Sequence, residues 1–242
     1  TTNRGGWAKL EFSKTEHLTS EGYFTYLKEF KGGHSLNAVA GYSYFEKNGE
    51  NFNAENYDFG VEGLKYWDLE SGSYLTDGKA KMGSKKDITE RLFALYARAN
   101  YSYNDKYMVT ATIRHEGSSK FAAENRWGNF WALSGGWRVS GEEFMKEFDW
   151  VNDLKIRFGY GVTGNNDFDA SYMANTLSRD QYWMLPSGSW AFVYGPSSNV
   201  NPYLGWEEKK EWNIGVDYSF FGNRMYGKFD YYRRKIDGMI YE

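Results

Sequence analysis

The sequence predicts an all-β fold, a wall segment of an antiparallel transmembrane β-barrel, and three observations support this prediction. Through residues 91–163, apolar and polar side chains alternate in four successive segments, as in strands that point neighbouring side chains to opposite faces. One face of these strands is uncharged, whereas the other carries Arg or Lys in every strand. The segments are also longer than the roughly five or six residues typical of strands in soluble proteins.

Segment length and aromatic content together indicate a sheet that spans a membrane. Eleven residues in a strand tilted by about 40° climb about 28 Å, enough for the ~25 Å apolar band of an outer-membrane barrel. Tyr and Trp combine an apolar body with a polar tip and therefore favour the headgroup level of a bilayer. The aromatic residues at strand ends that would form such a girdle are Tyr101, Tyr103, Tyr107, Trp131 and Trp137.

The N-terminal part of the chain predicts a strand, a loop and a hairpin. Residues 7–13 fit a strand, and residues 14–20 fit a polar loop. Residues 21–30 and 35–45 are predicted strands, joined by a turn at 31–34 whose two glycines supply the positive φ that hairpin turns need. The hairpin therefore precedes the four strongly alternating segments.

Short turns and long loops alternate along the predicted sheet, as they do at the two rims of an outer-membrane barrel. The short turns are residues 31–34, 104–105 and 221–223. The long loops are Glu46–Glu90, 116–128 and 164–205. Residues 140–153 are the exception, a longer connection on the short side, with a helical turn predicted at 142–148. Two further strands, at 211–220 and 225–232, bring the expected total to eight or nine.

Composition excludes several classes of protein. The 242 residues have a formal net charge of −3 and no basic run, which gives no support for a nucleic-acid partner. Without cysteine there is neither a disulfide framework nor a thiolate metal site. The three histidines share no segment, and the acidic pairs Glu142-Glu143 and Glu207-Glu208 are adjacent rather than facing. We therefore predict no enzymatic activity, no catalytic or metal-binding residue and no cofactor.

Three blocks of sequence resemble the barrel of SusC/RagA-type TonB-dependent transporters. They are RANYSYNDKYMVTATIRHEGSSKFAAENRWGNFWALSGGWRVSGEEFM at 98–145, LKIRFGYGVTGNN at 154–166 and NPYLGWEEKKEWNIGVDYSFFGNRMYGKFDYYRRKIDGMIY at 201–241. The blocks follow one another in the family's order, and the resemblance extends from about residue 30 to the end.

This resemblance implies a 22-stranded barrel in the bacterial outer membrane, with an N-terminal plug and a TonB box. Such transporters import oligosaccharides or peptides with a SusD-like surface lipoprotein and are coupled to the TonB complex through their N-terminal part. The sequence shows neither plug nor TonB box. We therefore expect residues 1–242 to be one partial β-barrel domain, an internal piece of a longer polypeptide. As an open segment, it would pair at both edges with other strands rather than close on itself.

The two faces of the predicted sheet have different expected surroundings. Facing lipid, we expect Phe93, Ala97, Val109, Leu133, Ile156, Phe158, Ile214, Val216 and Phe229. Facing the lumen, we expect the charged residues Arg98, Arg114, Arg138, Lys155, Arg157 and Asp217. These charges either form a salt-linked ladder that braces the wall or influence which solutes pass.

The second candidate site is the aromatic content of the loop at 164–205. Its candidate contacts to substrate or lid are Tyr182, Trp183, Trp190 and Tyr194, with Phe192, Tyr203 and Trp206 in or beside the same loop. Sugar rings present apolar C–H faces that stack on aromatic rings. The alternatives are packing within the loop and contact with a lipoprotein lid. We expect this loop and Glu46–Glu90 to leave the same, extracellular rim.

Two other functions fit part of the pattern. A small self-closed outer-membrane barrel would act as an adhesin or anchor, with its interior filled by side chains. A soluble carbohydrate-binding β-sandwich would also alternate, but it would bury its apolar face against a second sheet. The leading hypothesis remains part of a TonB-dependent importer of oligosaccharides or peptides.

Overall fold

The structure, a computed structural model, describes residues 6–60, 63, 65–168, 177–196, 201 and 203–239. Within these ranges the chain is almost entirely β, as the sequence predicts. Its strands are β1 Trp7–Phe30, β2 His34–Tyr57, β3 Lys81–Lys86, β4 Glu90–Tyr103, β5 Tyr107–Ser118, β6 Trp127–Arg138, β7 Val151–Asn165, β8 Leu177–Met184, β9 Trp190–Pro196, β10 Glu207–Phe220 and β11 Met225–Asp237.

Helical structure is limited to short connections. A single-turn helix, α1, spans Ser73–Thr76, and 3₁₀ turns occupy Lys65–Ser71, Val139–Gly141 and Glu143–Met145. The helical turn expected at 142–148 is therefore present, but it is shorter than predicted. In the described part of the chain, no helix is long and apolar enough to cross a membrane.

The main sheet contains nine strands. Eleven strands are described in all, against the eight or nine predicted, because β3, β8 and β9 lie in segments predicted as loops, while the predicted strands at 7–13 and 21–30 are one strand, β1. The hydrogen-bonded order of the main sheet is β1-β2-β4-β5-β6-β7-β10-β11, with β3 paired to β2, and β8 and β9 form a separate two-stranded sheet. Apart from β3, β8 and β9, strands that are consecutive in sequence are also neighbours in the sheet, as in an up-and-down meander. Because the path begins at β1 and ends at β11, the described strands form an open wall rather than a closed barrel, which excludes the small self-closed barrel.

The strand register confirms that the predicted apolar residues share one face. Ala97 lies opposite Ile113, Leu133 opposite Tyr160, and Ile214 opposite both Phe158 and Tyr231. Residues directly opposite each other in a sheet point to the same side. The exposed large apolar side chains of this face in the described strands include Phe93, Val109, Leu133, Ile156, Phe158, Ile214 and Phe229. Within the described residues no second sheet covers them, which argues against the soluble sandwich.

The short turns have the conformations that their sequences predict. Asn104 and Asp105 both have positive φ, at 49° and 53°, as the central residues of a type I′ hairpin turn require. Gly32 and Gly33 have φ of 86° and 81° in the first hairpin. The turn between β10 and β11 also has positive φ, with 56° at Phe221. These turns fix the register of the strands that they join.

Three segments predicted as loops contain strands instead. Residues 14–20 lie inside β1, and Glu46–Glu90 contains the last part of β2 and all of β3. The loop at 164–205 contains the β8–β9 hairpin, and its residues 169–176 and 197–200 lie outside the described part of the chain. The first two segments were mispredicted because they are mostly polar on both faces, so strand hydrogen bonding is not accompanied by apolar alternation.

The chain divides into two compact units. The first consists of Thr1–Leu18 and Glu46–Glu90, and the second of Thr19–Phe45 and Arg91–Glu242. In the first unit, the buried side chain of Asn56 donates from Nδ2 to the carbonyl oxygens of Leu69 (2.7 Å) and Gly72 (2.8 Å). This amide joins the 3₁₀ segment to β2. All candidate site residues belong to the second unit.

Candidate functional site

The charged face of the second unit is linked across three strands by Arg157. Its Nε donates to Asp217 Oδ2 at 2.9 Å, and its Nη2 donates to Asp217 Oδ1 at 2.8 Å and to Asp230 Oδ1 at 2.9 Å. These residues lie on β7, β10 and β11. A bidentate guanidinium–carboxylate pair is stronger and more directional than a simple ion pair. Arg157 and Asp217 therefore belong to a salt-linked ladder across the sheet, one of the two alternatives for the charged residues.

A glycine makes this three-strand contact possible. Gly215 lies opposite both Arg157 and Asp230 in the register of β10 with its neighbours. A Cβ at Gly215 would lie 2.5 Å from Asp230 Oδ1 and 2.6 Å from Arg157 Nη2. The guanidinium therefore occupies the space above the central strand that any other residue would fill.

The other predicted charged residues have different partners. Arg114 makes a bidentate pair with Glu116 of its own strand, with Nε–Oε2 at 2.8 Å and Nη2–Oε1 at 2.9 Å. Arg138 Nε lies 3.4 Å from Asp153 Oδ1. Arg98 donates from Nε to the hydroxyl of Thr112 at 3.3 Å.

Register places Arg98, Arg114, Arg138, Lys155, Arg157 and Asp217 on the face opposite the apolar one. That this face lines a lumen remains a prediction.

At the short-turn end of the sheet, aromatic side chains of neighbouring strands form a continuous row. His34 Nδ1 lies 2.6 Å from Tyr101 Oη, and the imidazole stacks on the ring of Tyr103 at 4.5 Å. Tyr103 in turn stacks on Tyr107 at 6.3 Å. A second row lies toward the long-loop end, where Trp131 contacts Tyr160 (5.2 Å) and Trp212 contacts Tyr231 (5.4 Å). The two rows frame the apolar face as aromatic girdles would.

One carboxylate, that of Glu142, anchors the connection between β6 and β7 to the aromatic row at the short-turn end. Glu142 Oε1 accepts hydrogen bonds from Tyr107 Oη (2.6 Å) and Trp137 Nε1 (3.0 Å), and Oε2 accepts one from Lys106 Nζ (3.3 Å). These hydrogen bonds, that of Tyr107 foremost, hold the pKa of the Glu142 carboxyl below its ordinary value, although desolvation opposes them. Sequence reasoning considered Glu142 only as half of a catalytic pair and missed this anchoring role.

A small aromatic core holds the long loops together at the other end. Phe121 is only 2% exposed, and its ring lies 5.2 Å from that of Phe168 and 5.0 Å from that of Trp206. Trp206 also packs edge-on against Phe130 at 5.1 Å and donates from Nε1 to the carbonyl oxygen of Arg126 at 3.1 Å. Trp206 is thus committed to packing within the loops, which was one of the alternatives for the aromatic set.

The four candidate contact residues lie on the β8–β9 hairpin, and the hairpin separates them. Tyr182 lies opposite Phe192, with ring centroids 4.4 Å apart, and Met184 lies opposite Trp190. Because side chains alternate along a strand, Tyr194 shares this face with Phe192 and Trp190. Trp183 lies opposite Ala191 and points to the other face.

The hairpin therefore brings Tyr182, Trp190 and Tyr194 together, with Met184 and Phe192, and leaves Trp183 apart. Trp183 and Trp190 are each 67% exposed. The expectation that neither residue lies in a strand was wrong. The signal was present in the sequence, because Trp190, Phe192 and Tyr194 alternate with smaller residues and follow a Pro-Ser-Gly turn. We name the face with Tyr182, Met184, Trp190, Phe192 and Tyr194 the hairpin aromatic face.

The described residues offer no group of three or more His, Cys, Asp or Glu side chains that could hold a metal ion. The charged face instead contains a cleft of about 450 Å³ lined by residues of the second unit. Two cations, Lys155 and Arg157, lie among hydroxyl and amide groups there. The cleft therefore combines two cations with neutral hydrogen-bonding groups.

Comparison with known proteins agrees with this architecture. The family described as "TonB dependent receptor-like, beta-barrel" matches residues 2–242. TonB-dependent receptor P39 of Formosa agariphila is 34% identical over 232 residues, covering 92% of this chain and 20% of the relative. TonB-dependent receptor SusC of Bacteroides thetaiotaomicron is 33% identical over 166 residues, covering 68% of this chain and 17% of the relative. The chain thus spans about a fifth of the length of the curated relatives it matches.

Solved structures show the same fold. The RagAB peptide transporter superimposes with a TM-score of 0.75 at 23% identity, over 96% of this chain and 24% of the other. The RagAB peptide importer in its closed-closed state gives a TM-score of 0.76 at 24% identity, with the same coverage. The described sheet therefore has the fold of a section of a TonB-dependent barrel wall.

Proposed function

Because this chain belongs to the TonB-dependent receptor-like β-barrel family, we propose that it is part of the wall of an outer-membrane importer of oligosaccharides or peptides. The observation that carries the proposal is the uncovered apolar face, continuous in register from β4 to β11 and opposed by a charged face. Exposed apolar surface of this extent marks contact with another apolar phase. Lipid meets the apolar face, and the charged face lines the lumen.

Energy coupling and gating come from other parts of the transporter. The relatives that this chain resembles are about five times longer, which leaves room for a plug and a TonB box outside these residues. Residues 1–242 act as one partial barrel domain, and the edges at β1 and β11 pair with further strands, since unpaired backbone groups are costly in lipid. The partners are the TonB complex, outer-membrane lipid and a SusD-like surface lipoprotein.

The hairpin aromatic face supplies recognition at the extracellular rim. Its rings are exposed, and they sit on a two-stranded sheet that the main sheet does not continue. Aromatic faces stack on sugar rings and on the apolar side chains of peptides or of a lipoprotein lid. The resemblance to SusC/RagA-type transporters implies oligosaccharides or peptides as the two candidate substrate classes, and the RagAB structure is that of a peptide transporter.

The test compares two tryptophans of equal exposure on opposite faces of the hairpin. A strain lacking the native gene is complemented with the complete polypeptide carrying Trp190→Ala or Trp183→Ala and is grown on maltooligosaccharides or on casein peptides. Trp190→Ala is expected to slow growth on one of these substrates, or to weaken association with the lipoprotein, more than Trp183→Ala does.

Folding is controlled by the heat-dependent shift in gel mobility that intact barrels show. Equal effects of the two variants would assign the hairpin to loop packing. Growth of the wild type on neither would rule out maltooligosaccharides and casein peptides as its substrates and leave only the wall assignment.

A further inference from the structure

Lys155 is a cation of the charged face that has no acidic partner in the described part of the chain and also lines the cleft. Arg98 and Lys228 likewise have no ion pair among the described residues, but they lie outside the cleft lining. Arg157 is held by Asp217 and Asp230, Arg114 by Glu116, and Arg138 lies near Asp153. For Lys155 Nζ, the described residues provide neither an ion pair nor a hydrogen bond. Lys155 is half-buried on β7, opposite the last residue of β6.

The acid nearest to Lys155 in register is already engaged. Asp217 lies directly opposite Lys155 on β10, but both of its carboxylate oxygens accept hydrogen bonds from Arg157. On the other side, the register partner of Lys155 is a second cation, Arg138. Among the described residues, no carboxylate therefore forms a direct ion pair with the ammonium group, although the neighbouring ladder of one guanidinium and two carboxylates carries a net negative charge.

Lys155 lines the cleft of about 450 Å³, whose lining contains no carboxylate. The polar side chains that surround the cleft are Ser35, Asn37, Asn100, Ser102, Thr110, Ser134 and Asn213. Amides and hydroxyls are donors that complement a carboxylate already paired with a cation. The cleft thus contains one ammonium group without a direct ionic contact and several neutral donors.

Glycines keep this cleft open around the lysine. A Cβ at Gly136 would lie 3.1 Å from Lys155 Cε, so the aliphatic part of the lysine lies over this glycine. A Cβ at Gly159 would meet only Ser134 Cβ, at 3.7 Å. With no side chains at these positions, a ligand group can reach the ammonium from the open side.

We propose that Lys155 and its surrounding amides and hydroxyls form a binding subsite for a carboxylate carried by the transported solute. The proposal rests on the proposed function in one respect, that the charged face lines the solute path. The carboxylate can belong to an acidic sugar or to an acidic peptide, and the chemistry recognised is the same. The subsite would favour acidic solutes over neutral ones of equal size.

The test is calorimetric titration of the complete polypeptide in detergent at low salt. Trigalacturonate and triglutamate are the acidic probes, and galactotriose and triglutamine are their neutral counterparts. Lys155→Met should weaken binding of an acidic probe by roughly tenfold, the size expected for losing one charged hydrogen bond, and leave its neutral counterpart unchanged. Lys155→Arg should stay within about twofold of the wild type because it keeps the charge. Lys228→Met is the matched control, since it removes a cation of the same face outside the cleft lining.

If only the binding of trigalacturonate depends on Lys155, the ligand class is an acidic sugar, and if only that of triglutamate does, it is an acidic peptide. If the binding of both depends on Lys155, the subsite recognises carboxylates in general. The proposal is overturned if neither acidic probe binds the wild type, if acidic and neutral probes lose affinity equally, or if Lys228→Met has the same effect. Uptake of the same probes by cells is scored separately. If the wild-type protein binds a probe through Lys155 but cells do not take that probe up, the transport proposal is contradicted. If cells take up an acidic probe whose binding does not depend on Lys155, the subsite is contradicted.

Discussion

The guanidinium of Arg157 on β7 and the carboxylate of Asp217 on β10 form a bidentate pair, with N–O distances of 2.9 and 2.8 Å. Both side chains are about one-third exposed, so water screens their attraction. A double-mutant cycle with Arg157→Met and Asp217→Asn should give a coupling free energy of about 1 kcal/mol, measured by urea unfolding of the complete polypeptide in detergent. Additive effects of the two substitutions would show that the pair does not brace the wall.

Gly215 should be intolerant of even a methyl group. Gly215→Ala places a Cβ against Arg157 and Asp230 and must displace the ladder, which we expect to lower the free energy of unfolding by about 1–3 kcal/mol. Gly159→Ala is the control, because a Cβ there makes only an ordinary contact with Ser134. The measurement is the same urea titration, and equal stability of the two variants would contradict the steric account.

Substitutions at adjacent positions of β7 should have opposite consequences for assembly. Phe158 belongs to the apolar face and Arg157 to the charged face. Phe158→Arg puts a charge into lipid at a cost of about 2–4 kcal/mol near the midplane, whereas Arg157→Phe loses the ladder but meets no lipid penalty. The fraction of heat-modifiable barrel in the outer membrane should therefore fall further for Phe158→Arg. Equal assembly of the two variants would be incompatible with a lipid-facing Phe158.

The anchor at Glu142 predicts a dependence of stability on pH. Hydrogen bonds from Tyr107, Trp137 and Lys106 lower the folded-state pKa of this turn carboxyl from its ordinary value of 4.5. Its contribution is therefore present above pH 4.5 and is lost as the pH falls through the lower, folded-state pKa.

Glu142→Gln should destabilise the protein at pH 7, and the difference from the wild type should vanish in acid below that folded-state pKa. The free energy of unfolding of both proteins is measured by urea titration from pH 7 down to a pH below the folded-state pKa of Glu142. A difference in this free energy that does not change with pH would show that the charge of Glu142 is not involved.

Sequence alone was sufficient to predict the strands that cross the apolar band. Ile156, Phe158 and Arg157 have fixed faces because alternation in a half-apolar strand specifies its register. Beyond that band, the same reasoning failed. Strand β2 continues through the mostly polar stretch at 46–57, where cross-strand polar contacts such as that of Asn51 with Glu11 accompany the backbone hydrogen bonds and no regular apolar alternation marks the strand.

The site was only partly predictable for a related reason. Candidate aromatics could be named from composition, but the separation of Trp183 from Trp190 depends on the pairing of β8 with β9. The role of Gly215 depends on the joint register of three strands, and the isolation of Lys155 depends on which acids its neighbours already bind. Such relationships arise between strands and leave no local signal in the sequence.

The proposal that this sheet separates lipid from a solute path is tested most directly by measuring what surrounds each face of β7. Nitroxide labels are placed singly at positions 155–160 of the complete polypeptide in lipid bilayers, and their collision rates with oxygen and with a water-soluble nickel complex are compared. We predict alternation, with oxygen favoured at 156, 158 and 160 and nickel favoured at 155, 157 and 159. Nickel access at position 158 equal to that at 157 would contradict a wall that separates lipid from a solute path.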